Sequence, residues 1–273
     1  MQRMLGFFFV AVFVLTGIAC TGSGINRGDI SLISIDEEWA LGAQLADDID
    51  KEMKILDDPG IMAYVTAMGN RIVAQAKGDT PVADRPWTFH VIEDETINAF
   101  NIPGGHVYLH SGLVAKAGDY AELMGVVSHE VAHGLARHGV ENLSKQYGVS
   151  LLLGLALGKD PQAYQEILAS VLAGGAIMKF SRNAENEADR LGAGYMYGAG
   201  VDPDGMVDFF RVLLEQRQRQ PSSIEQFFSS HPLTEDRIDN VETMIANMPP
   251  ASLTRTDPGF PGFQSRVASV SGR

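Results

Sequence analysis

The chain has 273 residues, 45% of them hydrophobic and 20% charged, a globular composition long enough for one sizeable core. Its formal net charge of -13 excludes a nucleic-acid binder, which needs a basic face, and excludes electrostatic attachment to anionic lipid. The charge itself reads most simply as solubility.

Arg3 is the only charged residue before Arg27, and Leu5 to Ile18 is a nearly unbroken apolar run. That run is too short to span a bilayer comfortably and has the length of a signal-peptide core. It ends in Thr16, Gly17, Ile18 and Ala19 before Cys20, the only cysteine, so no intramolecular disulfide can form. The segment resembles a bacterial lipoprotein signal, with residues 1–19 removed and Cys20 acylated; ordinary export with cleavage after Ala19 is the alternative. Thr21 rather than Asp after the cysteine resembles the signals sorted to an outer membrane. The resemblance implies a periplasmic-side outer-membrane lipoprotein of a bacterial envelope, held to the membrane by its lipid. Residues 20–35 would be the lipidated cysteine and its tether, polar and containing Gly and Ser from Thr21 to Gly28.

An acidic helix is expected from Asp36 to Met53. Asp58 can cap a second helix with Pro59 in its first turn, and Ile61, Tyr64, Val65, Met68 and Ile72 recur on one face. Trp87 to Ile92 and His106 to His110 alternate as strands, with Pro103-Gly104-Gly105 as a turn, which predicts a small sheet with a hairpin. From Tyr120 the chain is mostly helical: Ala121 to Arg137, Arg182 to Tyr197 and Pro203 to Arg217. The apolar stretches Val149 to Leu157 and Ile167 to Met178 are too short for membrane spans and read as buried or lid-forming helices. Residues 249–273 contain several Pro and Gly and read as a loosely ordered tail. No internal repeat is present.

The chemistry centres on His129-Glu130-Val131-Ala132-His133. Residues four apart share a helix face, so both imidazoles can reach one metal ion, and Glu130 is placed to take a proton from metal-bound water. The apolar residues Leu123, Met124, Val126, Val127, Val131 and Leu135 bury this helix, a poor place for two unpaired imidazoles. Catalytic zinc normally takes three protein ligands. The third candidate lies in Ser181 to Gly192, where Glu185 and Asp189 share a helical face; Glu187 would serve almost as well on geometry alone. His231-Pro232 with Arg237 reads by itself as the start of a helix. His90, His106 and His110 fall in strand-like segments, and His138 lies off the metal face, so none of these four is taken as a ligand.

These motifs resemble metallopeptidase family forty-eight, the HtpX and CAAX prenyl protease type of gluzincin. In that family the His-Glu-x-x-His helix is followed by Ser-Arg-x-x-Glu-x-x-x-Asp, which Ser181, Arg182, Glu185 and Asp189 match. The resemblance nominates Glu185 as the third ligand of one Zn2+ per chain, with Asp189 orienting a ligand histidine. It implies that His231 and Arg237 support the oxyanion, or that His231 is an inhibitory fourth ligand as in some periplasmic relatives. Asn98, Ala99 and Phe100, followed by Pro103-Gly-Gly, resemble the segment before the family's edge strand, which pairs with extended substrate; Arg137-His138 also recurs there. The expected fold is α+β and mainly α, a zincin-like metalloprotease whose zinc helix lies beside a small sheet, within residues 36–248. The expected function is hydrolysis of polypeptides, chiefly unfolded or misassembled envelope proteins. The rival reading is a latent, chaperone-like envelope lipoprotein whose zinc site stays closed.

Overall fold

The computed structural model describes residues 25–26, 33–156, 158–173 and 179–272. The signal segment, Cys20, most of the tether and the end of the Ile167 to Met178 stretch lie outside the described residues.

Helix α1 (Ile35–Glu52) starts at a capping box in which Ser34 and Glu37 satisfy each other's backbone N–H groups. Helix α2 (Pro59–Val73) is capped by the Asp58 carboxylate, which accepts from Gly60 and Ile61. The sheet follows: β1 (Thr88–Ile92), β2 (Ala99–Ile102) and β3 (His106–His110), in the order β1-β3-β2. β2 and β3 form the expected antiparallel hairpin, turned by Gly104 and Gly105 at φ 89° and 77°, where a side chain would be strained. β1 runs parallel to β3, a pairing that no local pattern announces.

The remaining helices are α3 (Ser111–Lys116), α4 (Tyr120–Leu135), α5 (His138–Tyr147), α6 (Val149–Ala156), α7 (Pro161–Leu172), α8 (Arg182–Gly198), α9 (Asp204–Arg219), α10 (Glu225–Ser230), α11 (Glu235–Ala246) and α12 (Phe260–Val270). Mainly helical with one three-stranded sheet, this is the α+β architecture expected from the sequence. α4 packs against α8, α9, α2 and β2. Its crossing with α9 depends on two glycines. A Cβ on Gly125 would come within 2.6 Å of Met206 Cα, and one on Gly205 within 2.4 Å of the Ala121 carbonyl carbon.

Strand side chains alternate between two faces, and each face feeds its own core. Phe89, Val91, Val107 and Leu109 enter a large cluster with α2, α4, α8, α9, α11 and α12. Ile92, Phe100, Ile102 and Tyr108 enter a smaller one with α1, α5, α6 and α7. No helix among the described residues is long and apolar enough to cross a membrane.

Two expectations need correction. The tail read as loosely ordered carries α12, whose Phe260, Phe263 and Val267 are buried at helical spacing. Phe263 stacks on Tyr64 at 4.5 Å, Gln264 bonds the carbonyls of Val114 and Ala117, and the Arg255 carbonyl accepts the N–H of Ala121 at the start of α4. Proline and glycine mask this apolar spacing in the sequence. Nor are the described residues of the tether free. Ile25 packs on the large core, Ile33 is 1% exposed, and Asn26 donates to the Ala136 carbonyl and to Glu141.

Candidate metal centre

α4 begins where the Asp119 side chain accepts the Glu122 N–H, and its apolar faces are wholly consumed by packing. His129, Glu130 and His133 are therefore 2%, 0% and 0% exposed. α8 begins at Ser181, whose side chain accepts from Ala184, and this start turns Glu185 and Asp189 toward α4. α10 ends at His231, delivering that ring from a third direction.

The imidazole Nε2 atoms of His129 and His133 lie 3.1 Å apart. Glu185 sets Oε1 3.4 Å from His133 Nε2 and Oε2 3.6 Å from His129 Nε2. His231 Nδ1 is 3.3 Å from His129 Nε2 and 3.1 Å from Glu185 Oε1. One donor atom from each of these four residues falls within 4.8 Å of all the others. Two imidazoles, a carboxylate and a third imidazole around one point, all buried, fit a metal site.

The charges suit that use. Burial pushes the His133 imidazole well below its usual range, leaving it a neutral donor. Burial also opposes charge on His129, but Asp189 and Glu185 outweigh it and raise that imidazole to about 9. His129 would thus release a proton as a metal arrives. Glu185 is buried too, which disfavours its charge, yet His231 and hydrogen bonds from His129, His133 and His231 hold its carboxyl well below the usual range. Asp189, likewise buried, is held low chiefly by Arg237.

Asp189 Oδ1 lies 2.9 Å from His129 Nδ1, the nitrogen facing away from the cluster. The Arg237 guanidinium forks onto Asp189 through Nε and Nη2, both at 2.7 Å. Its Nη1 is 2.5 Å from Glu185 Oε2 and bonds the Pro232 carbonyl at 3.0 Å. All three Arg237 nitrogens are thus committed to carboxylates and backbone rather than to an oxyanion position. Glu130 is different: both carboxylate oxygens are buried without a hydrogen-bond partner, and His231 Nε2 is 3.5 Å away.

β2 is the sheet's outer strand on the α4 side, so Ala99 and Phe100 lie in the edge strand itself rather than before it. The Asn98 carbonyl accepts the His110 N–H, so Asn98, Phe100 and Ile102 pair toward β3. The backbone groups of Ala99 and Asn101 are left on the outer side. The Asn101 side chain donates to the Glu130 carbonyl at 2.9 Å, tying this strand to the helix.

Three residues at the site take places that the sequence pattern did not assign to them. His138 Nδ1 meets His133 Nδ1 at 3.0 Å, and Glu187 approaches His138 Nε2 at 3.5 Å rather than entering the metal cluster. Phe180 stacks on the His133 ring with centroids 4.0 Å apart. Only the Arg137-His138 pair and the aromatic before Ser181 signalled them. His90, His106 and His110 take sheet partners instead: Tyr108, Thr88 and Thr96.

Residues 62–245 match the family described as Peptidase family M48. The chain belongs to this family. M48 members are metal-dependent peptidases, and the buried His and Glu cluster fits a metal site. Similar proteins include the beta-barrel assembly-enhancing protease of Yersinia pestis, 32% identical over 80% of this chain and 46% of the relative. That of Escherichia coli (strain K12) is 30% identical over 81% and 46%. The mitochondrial metalloendopeptidase OMA1 of Schizosaccharomyces pombe is 30% identical over 81% of this chain and 64% of its own. The chain spans about half the length of these bacterial relatives.

Proposed function

We propose that the protein is a zinc-dependent endopeptidase in which His129, His133 and Glu185 hold one zinc ion and Glu130 is the general base. The convergence of these buried groups on one point carries the reading. Zinc bound there supplies a Lewis acid and lowers the pKa of a bound water to about 7. Glu130, free of competing hydrogen bonds, would take a proton from an attacking water and pass it to the departing amine. Asp189 and Arg237 hold His129 and Glu185 in place. An extended substrate would pair with the outer backbone groups of Ala99 and Asn101, beside the helix that carries Glu130.

His231 stands where the fourth donor would be, with its second nitrogen toward Glu130. In this conformation its ring would compete with water for that place, and cleavage would need His231 to withdraw. This supports the inhibitory role for His231 and leaves its oxyanion role to an opened state. The proposed substrates are unfolded or misassembled envelope proteins, which the names of the bacterial relatives support. The proposed location is the periplasmic side of the outer membrane, through lipid on Cys20; radiolabelled palmitate would be incorporated by the protein and lost in Cys20→Ala.

The deciding assay is cleavage of reduced casein by the protein and by Glu130→Gln, each with and without a zinc chelator. Chelator-sensitive cleavage that falls about 100- to 10,000-fold in Glu130→Gln is expected. Tightly bound zinc without any cleavage would favour the closed, chaperone-like lipoprotein instead, a reading that the burial of the whole site also supports. A protein that binds no zinc would overturn both.

A further inference from the structure

The two histidines on α4 are steadied differently. His129 meets a carboxylate directly, through Asp189. His133 meets another imidazole, that of His138, which is 2% exposed and backed by Glu187. From the structure we infer that His138 and Glu187 form a positioning relay that selects the ring tautomer in which His133 can bind metal.

Proton accounting supports this. A neutral imidazole carries one proton, on Nδ1 or on Nε2. For His133 Nε2 to offer its lone pair to a metal, the proton must sit on Nδ1. That proton then points at His138 Nδ1, which must accept it. His138 therefore keeps its own proton on Nε2, the nitrogen facing Glu187 Oε2. With both rings neutral, the chain Glu187, His138, His133 has one proton arrangement in which every contact joins a donor to an acceptor. Reversing the His133–His138 bond puts the His133 proton on Nε2, where it blocks the metal position and leaves His138 Nε2 bare before a carboxylate.

The backbone is arranged for this contact. Five residues along a continuous helix, His138 would lie well off the His133 face. Instead α4 ends and Arg137 takes left-handed angles, φ 61° and ψ 29°, alone among the described non-glycine residues. Such a conformation is strained for a residue with a side chain, and the surroundings hold it. Arg137 is fully buried, with Nε 2.6 Å from Glu38 and Nη2 2.8 Å from the Ile33 carbonyl. The break starts α5 afresh and swings the His138 ring back under His133.

The inference rests on the metal-site reading and is tested by metal affinity rather than by cleavage. Zinc would be titrated into the metal-free full chain against a chromophoric chelator, for the unaltered protein and for His138→Leu, His138→Asn and Glu187→Gln. Asn places an amide oxygen where Nδ1 stood, so it can still accept from His133; Leu cannot. Outer partners of metal-bound histidines are worth about 10- to 100-fold in affinity. His138→Leu is expected to lose that much, His138→Asn to recover most of it, and Glu187→Gln to fall between. Ring 15N shifts of metal-free His133 should move from the Nδ1-protonated to a mixed tautomer in His138→Leu alone. Equal affinity in all variants, equal loss in both His138 variants, or an unchanged tautomer in His138→Leu would overturn the relay. No zinc bound by the unaltered chain would instead sink the metal-site reading.

Discussion

The two cores on either face of the sheet are built to different standards. The larger one surrounds α4 with α2, α8, α9 and α11, and it alone carries the metal cluster. The smaller one gathers α6 and α7, which touch α1, α5 and each other, over Phe100 and Phe180. The charges buried around the metal cluster demand rigid surroundings, because a misplaced carboxylate there has no water to fall back on. Among their described residues α6 and α7 bury only apolar side chains and can shift at less cost. The difference teaches that the site's ligands and the α6–α7 pair belong to separate packing units, so the pair can loosen while the ligands stay.

The most damaging blow to the larger core should come from its buried charges. Arg237→Ala leaves Asp189 and Glu185 without their cation, and about 3–5 kcal/mol of stability should be lost, read from the urea midpoint of the metal-free protein. A loss under 1 kcal/mol would show that the ring of charges is not what stiffens this region. Phe209→Ala, deep in the same core and 1% exposed, should cost about 3–5 kcal/mol of global stability by cavity formation. Leu168→Ala in the smaller core is the sharper test. It should shift the global midpoint less than Phe209→Ala does, while speeding amide exchange across α6 and α7. Equal global shifts with no local exchange change would merge the two cores into one cooperative unit.

The smallest effect concerns the rim of the sheet. Burial, followed by the neighbouring His90, lowers His106 from 6.5 to about 4. Below about 6.5 the unfolded chain takes up a proton that folded His106 refuses, so stability should fall as pH drops from about 6.5 to 4 and level off below. His106→Gln should flatten that part of the stability profile; an unchanged slope would place the titration elsewhere.

Much of this architecture could be read before any coordinates, for specific reasons. His129 and His133 share a face because four residues make about one helical turn, and Glu185 and Asp189 follow the same rule. The hairpin announced itself through Gly104 and Gly105. What stayed hidden depended on long-range contact or on a broken period. His138 was set aside by extending α4 through Arg137, where the left-handed residue in fact ends it. Glu187 and Glu185 could not be separated as ligands by helical geometry alone; only the placement of His138 gives Glu187 a different partner. α12 was hidden by Pro258, Gly259, Pro261 and Gly262, although Phe260, Phe263 and Val267 already held the spacing. Both α1 and α12 lie outside the residues matched by the M48 family, yet both brace the ends of α4.

The bond from Asn101 to the Glu130 carbonyl has a consequence for what the enzyme would cut. Under the proposed mechanism it would make the edge strand a ruler whose zero mark is Glu130. A polypeptide laid along β2 is then measured by backbone register, and a slip of one residue turns every side chain over. Cleavage positions on an unfolded chain should accordingly keep a constant phase from the docked backbone while tolerating many side chains, the behaviour of an enzyme that reads distance before identity.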